Sequence, residues 1–278
     1  MFQLVAKLSR SSAARRGIQL LQLHTLANFG LRHFPIIKRL PGSGVIYRAT
    51  RLESLPLANE MFQRGNLYDA SLLPEKFSTF ADLGCNVGYF TCWLAHLAGG
   101  RKLRGLMLDA NPEAVKEAQW HAGANEMPEV YAVNGIAGEG SPGQSADFFL
   151  YASNICSTSH LTDEVKQHLK GKWTQISVPC VQVGELWRQH FGNARCNLLK
   201  VDIEGSEMNF LKAEQSFLKQ VDTVLIEWHA WGATLDQITT FMKQCGFVLS
   251  RTFDESDTMG TALFLPETSS APSAKASQ

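Results

Sequence analysis

Three acids, Asp202, Glu204 and Glu207, crowd the end of the stretch Cys196-Asn-Leu-Leu-Lys-Val-Asp-Ile-Glu-Gly-Ser-Glu207. An apolar strand brings them to one sheet edge beside a glycine turn, where carboxylates so close repel one another. That repulsion is costly unless a cation, a proton or a hydrogen-bond network is shared. A negatively charged helix start, favoured by the helix dipole, accounts well for Glu207 and poorly for Asp202. Downstream, Val224-Leu-Ile-Glu-Trp-His229 adds Glu227 and His229. A neutral imidazole suits proton abstraction near neutrality, although a lone histidine is more often structural.

A second chemical feature is the turn in Phe80-Ala-Asp-Leu-Gly-Cys-Asn-Val-Gly-Tyr-Phe-Thr91. Asp82 stands where a buried strand stops. Gly84 and Gly88 bracket a turn in which backbone can approach a ligand with no Cβ in the way. Alone it is as compatible with an ordinary strand-to-helix connection. Asp109 strengthens it, because it ends the next strand 25 residues beyond Gly84. An acid at that distance accepts from both vicinal hydroxyls of a ribose in nucleotide-binding α/β folds. The dinucleotide fingerprint G-x-G-x-x-G is absent, since Asn86 takes the place of its middle glycine. The turn therefore better suits a nucleoside ligand without pyrophosphate, S-adenosylmethionine, whose cationic end would tolerate nearby carboxylates such as Asp82.

Alternating segments position these residues. Phe77–Leu83, Leu103–Leu108 and Val130–Val133 read as strands, separated by helices over Tyr89–Leu97 and from Pro112 to about Asn125, the latter opened by Pro112 and Glu113. Ser145–Tyr151 and Ile176–Val181 read as an antiparallel pair around a polar loop, 153–160, and a helix over Asp163–Leu169. Helix Gly184–Phe191, strand Asn197–Val201, helix Met208–Leu218, strand Thr223–Glu227, helix Leu235–Cys245 and strands Phe247–Thr252 and Thr261–Leu265 follow. Such alternation implies a mostly parallel sheet with helices on both faces. Before it, two short amphipathic helices, a strand Val45–Tyr47 and a helix Leu57–Tyr68 are expected. Thr268–Gln278 is Ser/Ala/Pro-rich and reads as a disordered tail.

Charge is unevenly spread. Residues 1–52 hold nine basic side chains and no acid, so the remainder carries a net charge of −9 although the whole chain is neutral. The basic segment either packs on the acidic remainder or touches an anionic surface, membrane or nucleic acid. The first 30 residues also share the composition of a mitochondrial presequence. The six cysteines lack C-x-x-C spacing and fit a reduced, cytoplasmic protein. No apolar run reaches transmembrane length.

The stretches DLGCNVGYFT, LDANPEA and LLKVDIEGSEMNFL, in this order, together with VPCVQVGELW and VLIEWH, resemble the FkbM-type family of S-adenosylmethionine-dependent methyltransferases. The resemblance spans about residues 57–265. It implies an α/β, Rossmann-like class I methyltransferase fold with a seven-stranded sheet of order 3-2-1-4-5-7-6. The corresponding domain limits are a mainly helical N-terminal extension over 1–56, a catalytic domain over 57–266 and a tail over 267–278.

Carried over by position, Asp82, Gly84, Cys85, Asn86 and Gly88 would line the methionine end of the cofactor. Asp109 would hold the ribose, Ala110 and Asn111 would lie toward the adenine, and Asn134 and Asp202 would complete the set. Asp109 stands where the family usually shows Glu, and Gln182-Val183 replaces a more usual Leu-Asp, which weakens the expected N-cap of the following helix. Asp202 is the first candidate to position the acceptor or take its proton, and His229 the second. Glu204 and Glu227 would orient loops or substrate. No metal is expected, because spacing shows no partner for a pair formed by Asp202 and Glu204.

The resemblance favours O-methylation of a hydroxyl on a sugar or secondary-metabolite scaffold, with the loop 153–160 and Glu227–Trp231 as pocket walls. A nucleic-acid methyltransferase would explain the basic leader, but no N-P-P-Y-type motif or basic stripe supports it. A non-catalytic S-adenosylmethionine-binding protein at a membrane surface is the other alternative. The sequence does not reveal the oligomeric state.

Overall fold

The computed structural model describes residues 23–62, 70, 73–74, 77–151, 157–158, 173–253 and 255–267. The first expected amphipathic helix, the end of helix 57–68, most of the loop 153–160, helix Asp163–Leu169 and the tail Thr268–Gln278 lie outside these residues.

In chain order the elements are α1 (Leu23–His33), β1 (Ile36–Arg39), β2 (Ile46–Ala49), α2 (Ser54–Phe62), β3 (Thr79–Leu83), α3 (Tyr89–Ala98), β4 (Arg104–Asp109), α4 (Pro112–Ala124) and β5 (Val130–Asn134). They continue with β6 (Ile136–Ala137), β7 (Ser145–Tyr151), β8 (Trp173–Val181), α5 (Val183–Phe191), β9 (Leu198–Val201), α6 (Glu207–Ala213), α7 (Gln215–Leu218), β10 (Val224–His229), α8 (Leu235–Gln244), β11 (Phe247–Phe253) and β12 (Met259–Pro266).

The main sheet has seven strands in the order β5-β4-β3-β9-β10-β12-β11. Counted along the chain within this sheet, that is the expected 3-2-1-4-5-7-6. β12 runs antiparallel to both of its neighbours, and the other pairs are parallel. β3 is buried at every position, as a parallel strand covered on both faces must be. Its side chains alternate between two cores. Phe80 joins Phe90, Trp93 and Met107 on one face, while Ala81 and Leu83 join Trp187, Phe210 and Ile226 on the other. The chain leaves β3 toward β4 on one side and returns to β9 on the other, which makes the crevice above β3 and β9 the switch point of the sheet.

Four differences from the expected elements have physical causes. The N-terminal extension is not mainly helical among the described residues: β1 and β2 form an antiparallel hairpin. That hairpin is fastened to α4 by Arg48, whose guanidinium makes a bidentate pair with Glu117 at 2.8 and 2.9 Å. Asn125 also both donates to and accepts from Ile46 backbone. Second, β6 and β7 flank β8 in a separate sheet, and the two-residue β6 is too short for periodicity to show.

Third, the helix expected over Met208–Leu218 divides at Glu214, whose carboxylate accepts from Val183 N at 2.5 Å and Gly184 N at 3.1 Å. Gln182 makes no side-chain cap bond, so the weak cap expected there is replaced by a carboxylate from a distant segment. Fourth, β10 runs on to His229, so Glu227 and His229, two apart on one strand, share a face. Among the described residues no helix is long and apolar enough to cross a membrane.

Glu214→Ala removes the acceptor from both N–H groups at the start of α5 and is expected to cost about 1–2 kcal/mol of stability. Gln182→Ala should cost less than about 0.5 kcal/mol. Urea unfolding of the two variants checks that order.

Candidate active site

The floor of the crevice is a buried ammonium. Lys200 on β9 lies in register with Asp82 on β3 and is 4% exposed. Its Nζ lies 3.1 Å from Asp202 Oδ2, 3.3 Å from the Gly84 carbonyl and 3.5 Å from Asp82 Oδ1. Asp82 has no exposed surface and also accepts from Thr91 Oγ1 at 3.2 Å. Burial pushes its carboxyl above the ordinary range, and the Lys200 charge pulls it back. The Asp82 carboxylate, expected at the methionine end of a ligand, is thus paired with Lys200 at the base of the turn.

The turn itself is shaped by close approach. Gly84 has φ +69, and a Cβ there would collide with the carbonyl oxygen of Asp202. Asp202 N in turn donates to Leu83 O at 3.1 Å. Cys85 is buried, and burial drives its thiol well above its ordinary pKa, so it packs rather than reacts. Gly88 caps α3 without a side-chain hydrogen bond, so no side chain blocks the first turn of that helix.

Asp109, at the tip of β4, accepts from Asn86 N and Asn111 N, each at 2.8 Å, one on each oxygen. Burial lifts its pKa to about 6, against those two bonds, which favour the ionised form. Each oxygen keeps a lone pair for a ligand hydroxyl. Asn111 is buried, and its side chain caps α4 by accepting from Glu113 N at 3.0 Å. Asn111, expected near the adenine, thus serves as the cap of α4. Ala110 is buried too. Asn134 spends its amide on the carbonyls of Asp109 and Ala110 at 3.0 and 2.9 Å, which fixes the turn that carries Asp109.

Beside this cradle lies the acid edge. Glu207 is fully buried, and its Oε1 accepts from Gly205 N at 3.0 Å, Ile203 N at 3.3 Å and His229 Nδ1 at 2.9 Å. Its other oxygen has no hydrogen-bond partner among the described residues, so His229 is the charge partner that makes its burial tolerable. Because the carboxylate accepts, Nδ1 carries the hydrogen, and Nε2 is turned toward Glu204 at 3.7 Å. Glu204 holds a left-handed backbone, φ +53, a strained conformation for a residue with a Cβ. Its carbonyl accepts from Thr158 Oγ1 at 3.0 Å and Trp231 Nε1 at 3.4 Å. Gly205 follows with φ +100 and passes under Trp231, where a Cβ would not fit.

Crowding perturbs three members of this edge, Glu227, Glu204 and His229. Asp202 repels the Glu227 charge and, with burial, lifts that carboxyl to about 7. Burial and the surrounding acids raise Glu204 to about 8 against the pull of His229. Burial disfavours the charged form of His229, but the bond to Glu207 and the acids around it outweigh that and raise it to about 9. Asp202, Glu227 and His229 also present one ligand atom each within 4.8 Å of one another. This set could hold a cation, whereas spacing shows no partner for Asp202 and Glu204. Trp228 is buried in the core, whereas Trp231 is 40% exposed over the imidazole of His229.

Two residues central to this geometry, Lys200 and Glu207, were not singled out as site residues from the sequence. Lys200 reads as a polar interruption of an apolar strand, which was the available signal. Glu207 reads as a helix start, and nothing local shows that it turns back to a histidine on another strand.

A Gly turn on the first strand of this sheet, an acid on the tip of the second and an acid edge on the fourth and fifth define a Rossmann-like class I methyltransferase dependent on S-adenosylmethionine. The chain belongs to the FkbM methyltransferase family: the model of the methyltransferase FkbM domain matches residues 82–249. Searching curated protein sequences gives no match. Among solved structures, methyltransferase FkbM from Methylobacillus flagellatus aligns at 15% identity and a TM-score of 0.46, covering 75% of this chain and 47% of that one. The fibrillarin pre-rRNA processing protein of Methanococcus jannaschii aligns at 12% identity and 0.47, covering 85% and 84%. TrmK of M. capricolum, solved with S-adenosyl-homocysteine, aligns at 7% identity and 0.43, covering 76% and 74%.

Lys200→Met leaves Asp82 as an uncompensated buried charge and is expected to destabilise the protein by about 3–5 kcal/mol. Adding Asp82→Asn should recover part of that loss in denaturant titrations. The pH dependence follows from three groups held above their ordinary values of 4.5, 4.5 and 6.5, at about 7, 8 and 9. Between its ordinary and its raised value each group binds more protons in the folded state than in the unfolded chain, so stability falls as pH rises from about 4.5 to 9. Thermal melts across that window should show the decline, and Glu227→Gln should flatten its part below about pH 7.

Proposed function

We propose that this methyltransferase transfers the methyl group to a hydroxyl of a sugar or similar polyhydroxylated small molecule. The observation that supports this reading is the Glu207–His229 pair, whose Nε2 is turned into an acid edge beside the cofactor cradle. A hydroxyl is a weak nucleophile and gains from a proton acceptor, which contributes about 10²–10⁴-fold.

S-adenosylmethionine supplies an electrophilic sulfonium methyl when bound. The chain does the rest. The Gly84 turn would hold the methionine part of the cofactor and Asp109 its ribose, which would set the line of attack, and orientation alone is worth on the order of 7–11 kcal/mol. Asp202, fixed by Lys200, aligns the acceptor hydroxyl. The hydroxyl proton passes to Nε2 of His229 in its neutral form, with Glu207 holding the ring. Against burial, the surrounding acids keep the ring protonated up to about pH 9, so turnover should rise with pH toward that value. Trp231 and the carbonyl side of Glu204, braced by Thr158, form the outer wall, a flat aromatic face suited to a sugar ring.

A divalent cation between Asp202, Glu227 and His229 is a second reading, favoured by the convergence of their ligand atoms. It would polarise the acceptor oxygen in place of a base.

S-adenosylhomocysteine release against a panel of polyhydroxylated small molecules, with transfer RNA as a comparison acceptor, tests the proposal. His229→Ala should lower kcat by about 10²–10⁴-fold with calorimetric S-adenosylhomocysteine affinity unchanged. Turnover on the RNA alone would overturn the acceptor assignment, and activity lost to chelator and restored by Mg²⁺ would select the cation over the base.

A further inference from the structure

Half of the exposed large apolar side chains among the described residues fall in one short segment: Leu26 (63% exposed), Phe29 (63%), Phe34 (82%) and Ile37 (56%). Their arrangement is directional. α1 turns Leu31 into the body, with Ala27 and Asn28 half-buried beside it. Asn28 fastens that side, accepting from Leu52 N at 2.7 Å and donating to Glu53 at 3.2 Å. Leu26, Phe29 and His33 recur at helical spacing on the opposite side, and the Phe29 and His33 rings are in contact at 4.5 Å. Phe34 directly follows the helix, and Ile37 lies on β1, whose residues 37–39 are all exposed. The helix is thus anchored by one face and presents an apolar stripe on the other.

Charge identifies what would cover it. Arg32, Lys38 and Arg39 are exposed in the same segment, and residues 1–52 contain no acid. A second copy docked through this face would set like charges against each other, which disfavours a self-association interface. A purely electrostatic partner such as RNA would account for the basic side chains and leave the bare aliphatic ones, Leu26 and Ile37, without a role. Basic side chains around apolar ones are what an interfacial segment needs on an anionic bilayer: the apolar groups enter the headgroup boundary and the cations meet phosphate.

We propose that the face formed by α1 and β1 is a peripheral docking surface for an anionic lipid bilayer, carried by Leu26, Phe29, Phe34 and Ile37 with Arg32, Lys38 and Arg39. This surface is independent of the acceptor assignment, because it uses none of the residues assigned to acceptor or cofactor and its test reads no turnover.

The test is co-sedimentation of the full chain with phosphatidylcholine vesicles, with and without roughly one third phosphatidylglycerol. Binding should be at least about tenfold stronger with the anionic lipid and should weaken as salt is raised. The combined variant Leu26→Ser, Phe29→Ser, Phe34→Ser and Ile37→Ser should lower it about tenfold or more, with unchanged melting temperature and S-adenosylhomocysteine affinity. Arg32→Glu with Lys38→Glu gives a second variant, expected to lose the preference for anionic lipid; it decides the matter if the first variant does not fold. No vesicle binding, or binding unaffected by the variants, overturns the proposal. So does a dimer, or binding to single-stranded RNA without binding to vesicles, that the same substitutions abolish.

Discussion

The geometry at the carboxyl edge of the sheet depends on the ammonium of Lys200. It ties Asp82 on one strand to Asp202 on the next and donates to the Gly84 carbonyl as a third partner. Two carboxylates on adjacent buried strand ends would otherwise repel across a medium that screens them poorly. With the lysine present they become a bridge, and the cofactor turn and the acid edge are held at one fixed separation. A lysine in a strand interior is costly, and it is tolerable here because the long stem stays in the core while the charge reaches the strand ends.

Asp202 belongs to both halves of the site through this bridge. Its backbone passes so close to Gly84 that no other residue fits there, and its side chain raises the pKa of Glu227 on the neighbouring strand. The cradle and the acid edge therefore cannot be moved independently. Glu207 completes the arrangement from the far side by orienting His229. Glu204, between them, is held in a strained backbone by contacts from Thr158 and Trp231. Strain of that kind persists where surrounding structure over-determines a residue, and it is common at functional sites.

The basic N-terminal segment divides its charge between a packed set and an exposed one, the latter carrying the docking surface proposed above. Arg48 is spent on Glu117 and, with the hairpin around it, closes one side of the domain. Arg32, Lys38 and Arg39 remain at the surface among bare apolar side chains. Packing on the acidic domain and attraction to an anionic surface are thus not exclusive, because they draw on different residues of one stretch.

Alternation of apolar strands with amphipathic helices was sufficient to define the β/α order. The glycine turn, Asp109 and the acids from Asp202 onward were visible because each lies within a few residues of a strand end. Local spacing carries that much, since backbone conformation and strand polarity are local properties. What it could not carry was which groups face one another. The pairing of Asp82 with Lys200, the capping of α5 by Glu214 and the partnership of Glu207 with His229 all join residues from separate segments. The face shared by Glu227 and His229 depended on where β10 ends, which periodicity leaves uncertain by a residue or two. The sequence by itself determined the class of fold, the family and the edge where chemistry gathers. Only the tertiary structure decided which carboxylates are structural and which are open to a substrate, because burial and charge pairing are properties of strands brought side by side.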